Sequence, residues 1–527
     1  MKKVIYSLSL LIVLAFAGCS KDFLEVEPVG SLSSDNFLKN DLEVKMATMG
    51  VYNKIQENYS SGSWASVYFI KNLPADDTKC AGPNAGDTPE YQYLDDFNIT
   101  SDNSRFATIW TRFYSTINSC NTIINNVGAN PEATAGMKVM VGEAKALRAF
   151  TYLDLVVMFG GVPLMTVNPA STAEFSKPRA TPAEVYAQIE TDLKDAIAIL
   201  PVKSAYAPID RFRFSKGTAE ALLGKAYLYQ QKYADAATVL ASCIASNEYG
   251  LEADYASIWE TSNEFGIESI FEISYTSQEN YGWGNFPWGG GNESNIEMQL
   301  EGPRADGDGS FDFSNLDPEK LDIVGGWGFN LPSKEIGDLL YSNPADKRIK
   351  GSVVNEADYF AAGGAYQVDP VTLIPEDPYD YEGYLRLKYA NRNRNTTDPA
   401  TGQPELNYGS NYRIIRYADV LLMAAEAYNK SSNDGAAQVE LKKITDRAGI
   451  AAHTETGSAL FDQIVIERAK ELCFEGSRYW DLVRWGMASQ QMSDIGFTSN
   501  KHELFPIPLN EILSNTMMEE TDQNPGY

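Results

Sequence analysis

Apolar residues recur along much of this chain at spacings of three and four, the signature of helices that bury one face. Ala146, Phe150, Leu153 and Val157 follow that period, and Gly160-Gly161-Val162-Pro163 then ends the helix they predict. Thr181-Pro182-Ala183-Glu184 reads as a capping box with proline at the first helical position. Behind it Val185, Ile189, Leu193, Ile197 and Leu200 form one apolar stripe. Helices of this length and amphipathicity need neighbours to cover their apolar faces.

A repeated pattern predicts what those neighbours are. Gly224, Tyr227 and Ala236 stand at offsets of three and nine, and Ala425, Tyr428 and Ala437 reproduce them, with Leu441 and Ile444 where Leu240 and Cys243 stand in the first copy. The offsets match the helix pair of a tetratricopeptide repeat, in which small residues let the paired helices approach and the tyrosine fills the groove. The expected fold class is mainly α, with tetratricopeptide-like helical repeats forming a right-handed superhelical scaffold.

Two stretches break the period. Residues 275–330 are glycine-rich and carry Trp283, Phe286, Trp288, Phe311, Phe313, Trp327 and Phe329, and residues 358–412 are rich in proline and tyrosine. Both read as long loops, and loops of this length inside a compact protein carry function. Trp283, Trp288 and Trp327 sit among glycines and polar residues, so local helix packing cannot bury them all. A half-exposed indole suits the CH face of a sugar. Asn292, Glu293 and Asn330 are candidate hydroxyl partners. Trp64, Asp76 and Tyr91, in an irregular early stretch, are further candidates, whereas Trp110, Trp259, Trp480 and Trp485 fall in helical context and read as core.

The extreme N-terminus adds a location. Met1-Lys2-Lys3, the apolar run from Val4 to Leu14 and the small residues from Ala15 to Gly18, interrupted by Phe16, read as a signal peptide over residues 1–18. Cys19 follows as the expected lipid-anchored residue. The apolar run is shorter than the ~20 residues that a membrane-crossing helix needs.

Charge excludes some partners. The chain carries 43 basic and 71 acidic residues, a net −28 that becomes −30 when Lys2 and Lys3 leave with the leader. With no basic stripe to neutralise phosphates, binding of nucleic acid or of anionic lipid by charge is excluded. Cys80, Cys120, Cys243 and Cys473 lack the spacing of metal or redox sites; the last three read as buried thiols and Cys80 is left open. His453 and His502 stand apart, each read as a surface or capping residue, and no hydrolase or phosphate-loop motif is present. Asp306, Asp308, Ser310 and Asp312 alternate like the start of a calcium loop. Phe311 stands where such a loop turns on glycine, so a solvated acidic turn is the preferred reading, with no metal or cofactor expected.

Several motifs resemble the SusD/RagB family: Cys19 with Lys21-Asp22-Phe23-Leu24, the run Phe159-Gly160-Gly161-Val162-Pro163-Leu164, and Arg416-Tyr417-Ala418-Asp419 through Tyr428. The most specific stretches are Glu467-Arg468 through Trp485-Gly486, Leu504-Phe505-Pro506-Ile507-Pro508 and Gln523-Asn524-Pro525-Gly526-Tyr527. The resemblance spans residues 19–527 and implies one domain. It also implies a non-catalytic lipoprotein on the cell surface of an outer membrane that binds a glycan and delivers it to a SusC-like TonB-dependent transporter barrel. Peptide binding by the same scaffold, or a transporter lid with weak substrate affinity, are the alternatives. In such proteins the site joins an early loop region to a mid-chain one, which keeps both groups of candidates. The family's binding residues vary too much to be carried over. Its shared motifs are scaffold, and Arg478, Trp480, Asp481 and Arg484 are expected to pack helices and form ion pairs.

Overall fold

A computed structural model describes residues 37–307, 310–368 and 378–527; the leader and Cys19 lie outside them. The principal helices are α1 (Asp41–Tyr59), α2 (Val67–Asn72), α3 (Pro89–Asp95), α4 (Ser104–Gly128), α5 (Ala135–Phe159), α6 (Pro182–Ile199), α7 (Lys216–Tyr229), α8 (Tyr233–Ala245), α9 (Tyr417–Lys430), α10 (Asp434–Ala448), α11 (Gly457–Leu472) and α12 (Arg478–Arg484). Local chemistry explains their limits. Thr134 caps α5 by accepting from the Met137 amide, and Gly160 ends it at φ +72°. The Thr181–Glu184 capping box of α6 forms as the sequence predicts, with Pro182 opening the helix.

Consecutive helices pack against one another from α4 through α8. The two repeat copies are the pairs α7–α8 and α9–α10. Gly224 lets α7 and α8 close: a Cβ there would stand 2.4 Å from a Leu240 methyl. Ala236, Ala425 and Ala437 are fully buried, as small interface residues should be. The copies also pack directly on each other through α8 and α9, so residues 246–416 leave the helical stack and return to it.

That excursion is tied at its base by β2 (Ser269–Ile273) and β8 (Tyr412–Arg416), an antiparallel pair in which Ile273 faces Tyr412 and Ser269 faces Arg416. Three shorter antiparallel ribbons stitch the excursion internally and to the early loops. They pair β1 (Thr78–Lys79) with β4 (Leu331–Pro332), β3 (Phe311–Asp312) with β6 (Ala365–Tyr366), and β5 (Val353–Asn355) with β7 (Tyr384–Arg386). Residues 275–330 are mostly irregular, as expected, apart from a helical turn at Met298–Glu301 and β3. Small apolar clusters around Phe311, Tyr359 and Leu385 and around Phe286, Ile296 and Leu406 anchor these loops beside the main core.

Buried ion pairs lock the C-terminal segment to both halves. Arg416 is 1% exposed and reaches Glu268 at 2.7 Å, Glu471 at 2.5 Å and Glu475 at 2.8 Å. Three surrounding cations hold the Glu471 carboxyl far below the usual carboxylate range against its own burial. Arg468 bridges Asp419 and Asp481, and Arg484 pairs with Glu426 and Asp481, which places Asp481 and Arg484 in the scaffold role expected of them. Arg179 draws two sequence motifs together. It donates to the Phe159 and Gly161 carbonyls and, at 2.8 Å, to the Asn524 side chain.

All four described cysteines are free and buried, which settles Cys80 as a core thiol. His453 keeps a half-buried place beside Glu467 at 3.3 Å. Of the surface and capping alternatives, His502 takes the capping one. It is buried against Phe97, its Nδ1 accepts from the Thr498 amide, and burial with the nearby Lys501 charge lowers its pKa to about 4.

Candidate functional site

Trp283, Trp288, Trp327 and Trp64 converge. Trp283 lies nearly parallel to Trp288, with centroids 6.0 Å apart at 14°, and to Trp327, at 6.4 Å and 21°. Trp64 leans against Trp288 at 6.0 Å and against Trp327 at 5.6 Å. These are offset contacts between indoles, so ring face is left uncovered for another apolar face to meet. Trp283 is 48% exposed and Trp288 38%, whereas Trp64 and Trp327 are half-buried against the core.

Hydrogen bonds and close backbone approach hold Trp327, Trp288 and Trp64 in place. The Trp327 amide donates to the Gln299 carbonyl at 2.7 Å, with Gly326 and Phe329 bonded in the same way to Pro303 and Leu300. Gly62 presses the early loop against the mid-chain one: a Cβ there would lie 2.7 Å from the Phe286 ring and 3.1 Å from the Trp288 backbone. Arg112 pins the early loop from below, donating to the carbonyls of Glu57 and Ala65 and to the hydroxyls of Ser61 and Ser63.

Beside Trp64 and Trp327 opens a cleft of about 320 Å³, also lined by Asp87, Thr88, Arg304 and Asp306. Trp64 and Thr88 both hold left-handed backbone, at φ +56° and +46°. Under the early loop lies Glu297, fully buried, with no donor meeting either carboxylate oxygen in hydrogen-bonding geometry. Burial raises its pKa to about 8 against the pull of the Ser61 amide and of Arg105 and Arg112.

Other candidates serve the framework. Tyr91 lies on α3, not in a loop; it is fully buried and its hydroxyl donates to the Trp64 carbonyl at 2.8 Å, so it braces an indole. Asp76 is engaged by Arg478 at 2.7 and 2.6 Å and joins none of the indole contacts. Asn292 is buried, accepting from the Gly62 amide and donating to the Ser294 carbonyl, and Asn330 is buried as well, so neither presents an amide to the surface. Glu293 is half-buried in a depression beside Tyr52 and Phe212. Arg304, Asp87 and Thr88 escaped sequence reasoning, and the glycines on either side, Gly302, Gly307, Gly325, Gly326 and Gly328, were the available signal. No cluster of metal-ligating side chains forms among the described residues; Asp308 of the acidic turn lies outside them.

Fold and site together define a helical-repeat scaffold whose long excursion presents an indole cluster beside a polar cleft. Residues 22–228 match the family model described as "Starch-binding associating with outer membrane", and residues 267–527 match that of the SusD family. The chain belongs to the SusD/RagB family. SusD-like protein P2 of Formosa agariphila is 26% identical over 540 residues, spanning 98% of both chains. Among solved structures, a laminarin binding SusD-like protein is 33% identical with a TM-score of 0.80, covering 93% of this chain and 100% of that one. The surface glycan-binding protein A from Bacteroides thetaiotaomicron, in complex with laminarihexaose, is 25% identical with a TM-score of 0.75, covering 92% and 99%.

Proposed function

We propose that this protein captures a laminarin-type glucan at the cell surface, without chemistry, and passes it to a SusC-like TonB-dependent barrel in the outer membrane. The convergence of four indoles from two distant chain segments carries this reading. Two of its rings are left substantially in water, where they add little to the core. The two relatives named for laminarin and laminarihexaose favour a glucan of that kind. Both histidines are committed to the scaffold, which suits binding over catalysis. Tethering through acylated Cys19 would keep the protein at the membrane, each acyl chain contributing ~0.8 kcal/mol per buried methylene.

Calorimetric titration of the mature chain with laminarihexaose, cellohexaose, maltohexaose and a peptide mixture tests the reading. Saturable binding of laminarihexaose, tighter than that of the other two glucans, is expected. Binding of peptides alone, or of nothing in the panel, contradicts it.

A further inference from the structure

The cleft next to the indoles contains one guanidinium held in an unusual way. Arg304 Nε donates to the Asp306 carbonyl at 2.6 Å and to Asp306 Oδ1 at 3.1 Å. That leaves Nη1 and Nη2 with no partner among the described residues. The residue is not free to wander, because its carbonyl accepts from the Phe311 amide at 2.8 Å and its backbone bridges to Gly326. Gly328 lets it lie close, since a Cβ there would stand 3.1 Å from Arg304 Cβ. The segment holding Arg304 is therefore the segment that fixes Trp327, and the spacing between the charged fork and the indole is set by backbone hydrogen bonds.

Asp306 is 69% exposed and Asp87 lies on the same cleft, its carboxylate accepting from the Thr88 hydroxyl at 3.2 Å and from no other group among the described residues. The cleft thus offers four spare N–H donors on two nitrogens, carboxylate acceptors and ring faces, with carboxylates outnumbering the cation on a chain of net −28. Each hydroxyl of a neutral sugar can accept from the fork and donate to a carboxylate while the sugar's CH face lies on an indole. An acidic sugar could reach Nη1 and Nη2 as well, but its carboxylate would then lie in one cleft with those of Asp306 and Asp87, two like charges that disfavour it.

We propose that Arg304 and Asp306 are the specificity-determining pair of this site, clasping hydroxyls of a neutral sugar unit and excluding uronate-containing chains. The inference rests on the reading of the indole cluster as a glycan site.

The test titrates wild type, Arg304→Gln, Arg304→Lys, Asp306→Asn and Trp283→Ala with laminarihexaose and with a galacturonate hexamer. Thermal melts confirm that each variant folds. Wild type should bind the neutral hexamer and not the uronate. Arg304→Gln should weaken neutral binding by roughly tenfold, the scale of a lost charge-assisted hydrogen-bond pair, and Arg304→Lys should restore it only in part. Asp306→Asn should weaken it several-fold and bring uronate binding into measurable range. The proposal is overturned if both Arg304→Gln and Asp306→Asn bind laminarihexaose within twofold of wild type, or if wild type prefers the uronate. If Trp283→Ala loses affinity while the Arg304 and Asp306 variants do not, the glycan site stands and the pair alone is refuted. A wild type that binds neither hexamer overturns the glycan reading and the pair with it.

Discussion

Glu297→Gln should make the protein more stable in mild alkali and leave it nearly unchanged in mild acid. Glu297 is fully buried under the loop that carries Trp64, and its pKa rises from an ordinary 4.5 to about 8 because burial outweighs the neighbouring arginines. The native state therefore keeps a proton that the unfolded chain has released. A raised folded pKa contributes stability at low pH that is lost as pH climbs from the unfolded value through the folded one. At ~1.36 kcal/mol per pKa unit, the ionised carboxylate costs on the order of 3–5 kcal/mol by pH 9, whereas the amide of glutamine carries no charge to desolvate. An unfolding entropy of about 2.1 cal/mol/K per residue gives roughly 1 kcal/mol per kelvin for a chain this long, so the melting shift is only about 3–5 °C. Differential scanning calorimetry of both proteins at pH 5 and pH 9, at one scan rate, resolves it. Equal destabilisation of the variant at both pH values would show that the carboxylate is ionised and paired in the native state, refuting this reasoning.

Other outcomes follow from the same geometry. Trp283→Ala should weaken laminarihexaose binding about fivefold, the equivalent of ~1 kcal/mol of ring contact, with little change in melting. Trp480→Ala, which removes a ring that is 2% exposed and packed on Tyr479 and Phe505, should instead lower stability by ~3–5 kcal/mol; titration and calorimetry on both variants check the contrast. Gly62→Ala should push the Phe286–Trp288 loop away from Trp64, so that titration finds weaker binding although residue 62 bears no ligand contact of its own. Cys19→Ala should abolish fatty-acid labelling and release the protein from the membrane fraction, as read by radiolabelled palmitate and cell fractionation.

Much of this scaffold was legible because its determinants are local. Apolar spacing and the Thr181–Glu184 box mark α6, Gly160 marks the end of α5, and the repeated offsets mark two helix pairs. That the pairs stack on each other was not legible, since residues 246–416 separate them and only tertiary packing brings α8 to α9. The indoles were found for a negative reason: rings without helical period in glycine-rich sequence have no local way to be buried. Asp76 and Tyr91 illustrate the limit of that logic. Partners far along the chain, Arg478 for one and the Trp64 carbonyl for the other, decide their roles, and no spacing encodes such pairings. Arg304 was missed for the same reason, because its value lies in a backbone alignment with Gly326 and Gly328.

The most direct test is a crystal structure of the mature protein with laminarihexaose. The account predicts sugar rings laid on Trp283 and its neighbours Trp288 and Trp327, with hydroxyls within hydrogen-bonding distance of Arg304 and Asp306. An oligosaccharide seated on another face, with the four indoles and the cleft left untouched, would contradict it.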